Sequence, residues 1–302
     1  MFTERVQKTG FFTLTAAKLK DYAQFAKLRL ATLVVFSAVI TYWFGATVIE
    51  WDKMFYLIVG GFLVTAASNG INQILERDLD AKMKRTLDRP LPANRMTVME
   101  GILLSIILGA VGISMLFFGL NAFSGWLGVM ALVSYTAIYT PLKRVTPFAV
   151  FVGAFPGAIP PMLGYVAVTG EFGLIPGVLF AIQFIWQFPH FWAIAWKLDD
   201  DYAKGGFRLL PSRGGKDKGS AFQILVYSLF LIPVSLLPTF FGFMDYFAAM
   251  VSLVMGLWFL TKAIQLYKSN DEKDATKLMF ASFIYLPIVQ LAWVADKLLL
   301  GL

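Results

Sequence analysis

The chain has 302 residues, of which 58% are hydrophobic, 16% aromatic and only 15% charged, with a formal net charge of +7. A soluble domain carries about 25% charged residues, so this balance excludes an ordinary soluble fold and makes the lipid bilayer the first expected partner. There is no cysteine and one histidine, which excludes disulfides, thiolate metal sites and a His-rich metal centre within one chain.

A membrane-spanning helix needs about 20 mostly apolar residues. In chain order, the segments that qualify are 28–48, 54–75, 100–120, 122–140, 148–168, 172–196, 220–242, 246–266 and 278–299. The expected fold class is all-α: a polytopic membrane protein with nine transmembrane helices around a central cavity, forming one domain over 1–302. Residues 1–26 read as a cytoplasmic lead-in, and 76–99 and 197–219 as long cytoplasmic loops. With the N-terminus inside, 24 of the 26 Lys and Arg residues fall on the inner side and only Lys53 and Lys297 fall outside. Adding or dropping one helix moves the later basic loops to the wrong side. The same distribution, basic residues in short segments between apolar runs, argues against a nucleic-acid partner. The N-terminus has no signal- or transit-peptide pattern, which favours a bacterial plasma (inner) membrane with the C-terminus outside.

The second span runs into Asn72-Gln-Ile-Leu-Glu76-Arg77-Asp78-Leu-Asp80. On a helix Asn72, Glu76 and Asp80 share one face. Such a row suits Mg²⁺, which takes a few protein oxygens and completes its shell with substrate phosphate. Basic residues just beyond can take the remaining phosphate charge. The alternative is a solvated helix end with local ion pairs. A second acidic run, Lys197-Leu-Asp199-Asp200-Asp201-Tyr202, follows the sixth span, four helices after the first. That offset resembles a weak duplication of a four-helix unit, and it would let the two runs face each other across a central cavity. The fifth span contains Gly153, Pro156, Gly157, Pro160, Pro161 and Gly164. Prolines there free carbonyls that a neighbouring helix or a cavity must satisfy. In the sixth span, His190 lies among Trp186, Gln187, Phe191 and Trp192. A lone histidine is ordinarily a hydrogen-bonded packing residue, yet this setting also suits a flat, apolar, iron-bearing ligand.

Asn72-x3-Glu76-Arg77-Asp78-x-Asp80-x2-Met83-x-Arg85-Thr86-x2-Arg89-Pro90 resembles the first aspartate-rich motif of the UbiA-type intramembrane prenyltransferases. Tyr139-Thr-Pro-Leu-Lys143-Arg144-Val-Thr146-Pro147, Gly157-Ala-Ile-Pro160-Pro161-x2-Gly164 and Trp186-Gln187-x-Pro189-His190-Phe191 narrow the resemblance to the protoheme IX farnesyltransferase (heme O synthase) family, over about 27–213. The resemblance implies farnesyl transfer from farnesyl diphosphate to a vinyl group of heme b, with Mg²⁺ as cofactor. It implies Asn72, Glu76 and Asp80 as catalytic metal and diphosphate ligands, completed by Asp200 and Asp201. It further implies substrate contacts from Arg29, Arg77, Lys84, Arg85, Arg89, Tyr139, Lys143, Trp186, His190 and Lys197. A heme A synthase or terminal oxidase assembly would be the partner. Three positions depart from the family pattern: Glu76 stands for the usual Asp, Lys197 for the first acid of the second motif, and Leu28 for a proline beside Arg29. A quinone or phenolic acceptor, or a transporter, are the competing readings.

Overall fold

The computed structural model describes residues 16–300, so Arg5 and Lys8 of the lead-in lie outside the described residues. Residues 16–26 are helical, and the chain then turns at Lys27, whose backbone is left-handed (φ 50°). Nine helices long and apolar enough to cross a membrane follow: α1 Leu28–Gly45, α2 Trp51–Leu75, α3 Val98–Gly119, α4 Ala122–Leu142, α5 Ala149–Thr169, α6 Leu174–Lys204, α7 Lys218–Phe240, α8 Tyr246–Ser269 and α9 Glu272–Leu300. No strand occurs among the described residues. The chain is a multi-pass all-α membrane protein, as its composition predicts.

Two boundaries differ from expectation. The sixth helix continues to Lys204 instead of ending at 196, so the first third of the expected 197–219 loop is helix. Hydropathy falls at Lys197, but these residues still form helix: Asp201 and Lys204 pair across one turn at 3.4 Å. The stop comes only at Gly205 and Gly206, the latter at φ 77°. Similarly, α9 begins at Glu272 rather than 278, with Glu272 and Asp274 in its first turn complementing the helix dipole. Both helices project past the apolar layer.

Each helix packs on the next, and α9 returns to α1, closing a ring; α1–α5 and α6–α9 contacts cross it. Small residues permit the closest crossings. A Cβ on Gly164 would sit 1.9 Å from the Ala38 carbonyl oxygen of α1, and one on Gly112 of α3 would sit 2.9 Å from the Gly60 carbonyl of α2. At the end of the ring that carries Lys53 and Lys297, α9 also tethers its neighbours. Lys297 donates to the Phe44 and Ala46 carbonyls that end α1, while Asp296 accepts from Asp245 and Ala248 N–H at the start of α8.

The prolines of α5 have a specific solution. Pro161 has no N–H for the Gly157 carbonyl, and Gln183 Nε2 of α6 donates to that oxygen at 2.8 Å. Gln290 of α9 donates to Gln183 Oε1 at 3.0 Å, and Ser37 of α1 donates to Gln290 at 3.1 Å. A chain of amides thus links four helices within the apolar layer. Replacing Gln183 with leucine should lower the stability of the detergent-solubilised protein by about 1–3 kcal/mol, the cost of an unsatisfied buried carbonyl. A thermal melt no lower than wild type would refute the role given to this amide.

Candidate active site

The acidic row of α2 is buried. Asn72 lies in the last turn of α2, Glu76 is its C-cap, and Asp80 closes the short helical turn Arg77–Asp80. Glu76 N–H donates to the Asn72 carbonyl and Asp80 N–H to the Glu76 carbonyl, so helical spacing survives the joint. The three residues are 2%, 5% and 1% exposed, which excludes a solvated helix end.

Buried carboxylates require partners; two cations provide them, and a third reaches the Asn72 amide oxygen. Arg89 Nη1 donates to Asp80 Oδ2 at 2.6 Å, Lys143 Nζ lies 2.5 Å from Glu76 Oε1, and Lys27 Nζ donates to Asn72 Oδ1 at 3.2 Å. Each cation is held by its own local device. The Thr86 hydroxyl donates to the Asp80 carbonyl at 2.9 Å and closes the turn that presents Arg89. Lys143, just past α4, has its ammonium 4.9 Å from the Tyr139 ring centre and 5.5 Å from that of Phe207. Lys27 is aimed by its left-handed turn, which α2 secures: Gln73 and Asn69 donate to the Phe25 and Ala26 carbonyls at 2.6 and 3.2 Å.

Asn72 is oriented by α4. Residues Ser134–Tyr139 form a π-helical segment, a widening common at functional sites. There the Thr140 hydroxyl donates to the Tyr135 carbonyl at 2.8 Å and accepts from Asn72 Nδ2 at 3.3 Å. With its proton committed, Thr140 can only receive the amide NH₂, so Asn72 Oδ1 faces the cations.

Three cations over two carboxylates leave a net positive pocket. Burial, then the charges of Arg89 and Lys143, lower Lys27 to about 7. Burial likewise lowers Lys143, opposed by Glu76, and raises Asp80, opposed by Arg89. The donors also fit a hard cation. Asp80 Oδ1 is buried without a hydrogen-bond partner, and Asn72 and Glu76, both buried, precede it at helical spacing. Among the described residues no three His, Cys, Asp or Glu side chains gather closely enough to hold a metal. An ion here would need a ligand's own oxygens, which is the usual habit of Mg²⁺.

The second acidic run reaches the segment that follows the first one, not its carboxylates. Asp201 of α6 accepts the backbone N–H of Lys84 at 2.8 Å and of Arg85 at 3.1 Å, clasping the 76–97 segment. The Arg85 guanidinium lies 5.6 Å from the Tyr202 ring centre. Asp200 points outward, its side chain 89% exposed and paired with Lys216. Arg29 is exposed, and Arg77 pairs with its neighbour Asp78. Lys197 is half-buried over Phe280. The cluster therefore gathers Asn72, Glu76, Asp80, Arg89 and Lys143 from the expected set, adds Lys27 and Thr140, and leaves Arg29, Arg77, Asp200 and Lys197 apart. Asn69 and Gln73, amides flanking Asn72 along α2, were the available sequence signal for Lys27.

Beside the cluster lies an apolar cavity of ≈ 350 Å³ lined by α1–α6 and α9, with Tyr135, Tyr139 and His190 in its wall and the Tyr139 ring against Lys143. Leu30 and Phe283, both exposed, line it as well and make a rim between α1 and α9. On the far side of Lys143 a second cavity of ≈ 590 Å³ is lined by Arg144, Arg208 and Arg213.

Comparison with known proteins follows this geometry. The family model for the UbiA prenyltransferase family matches residues 33–286. A protoheme IX farnesyltransferase of Cytophaga hutchinsonii is 46% identical over 286 residues, covering 94% of this chain and 99% of that one. One from Solibacter usitatus is 35% identical over 289 residues, covering 92% and 99%. A solved digeranylgeranylglyceryl phosphate synthase shares the fold with TM-score 0.78 at 20% identity, over 93% of this chain and 98% of that one. A UbiA homolog from Archaeoglobus fulgidus bound to GPP and Mg²⁺ does so with TM-score 0.71 at 13% identity, over 91% and 99%.

The depressed Lys27 gives a signed pH dependence. Its charge is lost progressively as the pH rises through about 7. Affinity for inorganic pyrophosphate with Mg²⁺ should therefore fall between pH 7 and 9, by up to about tenfold per unit where binding must restore one proton. Lys27→Arg, which stays protonated, should flatten that slope. Calorimetric titration of both proteins that returned parallel profiles would exclude Lys27 as the source.

Proposed function

This chain belongs to the UbiA prenyltransferase family, and from that membership we propose that it transfers a farnesyl group from farnesyl diphosphate to a vinyl group of heme b, forming heme O and releasing diphosphate. The observation that carries the reading is the buried, net-cationic cluster over an apolar cavity. The polyanionic head of an allylic diphosphate matches the first, and its chain matches the second. Support for the acceptor comes from the relatives at 35–46% identity over nearly the whole chain, which are named protoheme IX farnesyltransferase.

Asn72, Glu76 and Asp80 would hold Mg²⁺ together with the diphosphate, and the ion would supply charge stabilisation to the leaving group. Lys27, Arg89 and Lys143 neutralise the negative charge that grows as the allylic C–O bond breaks, as fixed cations that need no reorganisation. The allylic cation forms within the apolar cavity, out of reach of bulk water. The rings of Tyr135 and Tyr139, between cluster and cavity, face it from the charged side. The outer vinyl carbon forms the new C–C bond as diphosphate departs with the C–O electron pair, and a water admitted afterwards adds to the cation left beside the porphyrin ring and gives up a proton to solvent, leaving a hydroxyl. Substrates enter from lipid past Leu30 and Phe283. Diphosphate leaves through the basic cavity lined by Arg144, Arg208 and Arg213. Asp201 holds the 76–97 segment closed during this cycle.

The chain acts as one domain in a bacterial plasma membrane, with the cluster and N-terminus at the cytoplasmic face, and a heme-modifying enzyme or oxidase assembly consumes the product. A quinone or phenolic acceptor is disfavoured by the relatives' names. A transporter is disfavoured because the ionisable groups gather at one end of the bundle instead of mid-membrane.

Membranes containing the protein, incubated with heme b, farnesyl diphosphate and Mg²⁺, should yield a more hydrophobic heme on chromatography. Geranylgeranyl diphosphate run in parallel reports chain length. Asp80→Ala should lower the transfer rate by at least about 10²-fold while leaving membrane insertion intact. Full turnover by that variant at saturating Mg²⁺ would remove Asp80 from the chemistry.

A further inference from the structure

One group at the cavity is not used by the diphosphate chemistry. His190 is the chain's single histidine, is 7% exposed, and lines the apolar cavity. Its ring is tightly held. Trp186 lies nearly flat on it, with centroids 4.3 Å apart and planes at 17°, and Phe283 meets it edge-on at 5.1 Å. Ser282 Oγ of α9 is 2.7 Å from His190 Nδ1, and the Trp186 indole N–H donates to the Ser282 carbonyl at 3.1 Å.

The hydroxyl of Ser282 decides the tautomer. Its proton is committed to the Met279 carbonyl at 2.6 Å, because a carbonyl only accepts. Only lone pairs remain for the imidazole, so Nδ1 must carry the ring hydrogen. Nε2 is then left with its lone pair. It makes no hydrogen bond among the described residues, yet it is not one of the polar atoms sealed inside protein, so it meets the cavity. A basic nitrogen at an apolar wall is costly without an electron-pair acceptor. Among the two substrates proposed above, only the porphyrin brings one, its iron.

We infer that His190 Nε2 is an axial ligand to the iron of the porphyrin substrate, and that Ser282 is the positioning residue that keeps this nitrogen unprotonated and aimed at the cavity. The inference rests on the heme-acceptor reading. Ser282 stands to His190 as the outer partners of ligating histidines do elsewhere, fixing the tautomer and raising ligand basicity. The bond anchors the porphyrin ring on the α6–α9 side of the cavity.

The test uses the full-length enzyme in detergent, titrated with hemin and, separately, with metal-free protoporphyrin IX. Wild type should shift the hemin Soret band on binding. His190→Ala should abolish that shift and weaken hemin binding by at least about tenfold, with added imidazole restoring the shift, while protoporphyrin and pyrophosphate affinities stay unchanged. Ser282→Ala should weaken hemin binding about tenfold, and Ser282→Thr should recover it. With ¹⁵N-histidine labelling, the one histidine should show a protonated Nδ1 in wild type and a mixed tautomer in Ser282→Ala. An unchanged Soret band and affinity in His190→Ala, or equal wild-type affinity for hemin and metal-free porphyrin, would overturn the ligation while farnesylation of heme b left the acceptor reading standing. A wild-type enzyme that neither bound hemin nor farnesylated heme b would bring down the acceptor reading itself.

Discussion

Two carboxylates held out of water among three cations are the constraint on which the rest of this molecule depends. Breaking such a pair by removing one member leaves an uncompensated buried charge, at a cost of about 3–5 kcal/mol. Glu76 and Asp80 come from the end of α2, but their partners come from elsewhere, Arg89 from the segment after α2 and Lys143 from after α4, while Lys27 before α1 reaches the neighbouring Asn72. The cluster therefore ties three chain segments at one end of the ring. It also ends with more positive than negative charge, which makes it a receptor for a polyanion rather than a closed structural ion pair.

The apolar layer imposes the second constraint, that every backbone polar group be satisfied without water. Prolines in α5 open the helix where the cavity lies, and the amides of Gln183 and Gln187 take up the Gly157 and Ala154 carbonyls at 2.8 and 3.0 Å. Gly157 itself leaves no room for a Cβ against Gln187. The same residues that break the helix regularity thus shape the cavity wall, so packing and chamber are one solution here.

These two features divide the chemistry between them. Charge develops and is neutralised at the polar rim, where cations are already in place. The adjoining cavity is lined mainly by aliphatic and aromatic side chains. The π-helical segment of α4 joins the two zones, because Thr140 aims Asn72 upward while Tyr135 and Tyr139 project into the cavity. The single histidine also lines the cavity, held by α9, a helix whose sequence carried no motif of its own.

How much was legible beforehand follows from the range of the interactions concerned. Nine spans, their order and the one-sided distribution of basic residues are properties of local composition, and the row Asn72, Glu76, Asp80 is a property of helical spacing, so the sequence by itself determined both the fold class and the core of the site. Helix ends such as those at Lys204 and Glu272 were misplaced because hydropathy marks the edge of the bilayer, whereas capping and i, i+3 pairs decide where a helix stops. What only the tertiary structure decided is which cations reach the carboxylates, that Asp201 grips backbone amides, and that Ser282 orients His190 across 92 residues. Those contacts bridge helices that are remote in the chain. Their geometry is set by small-residue crossings and a left-handed turn at Lys27, and no periodicity in the sequence encodes a distance between two such helices.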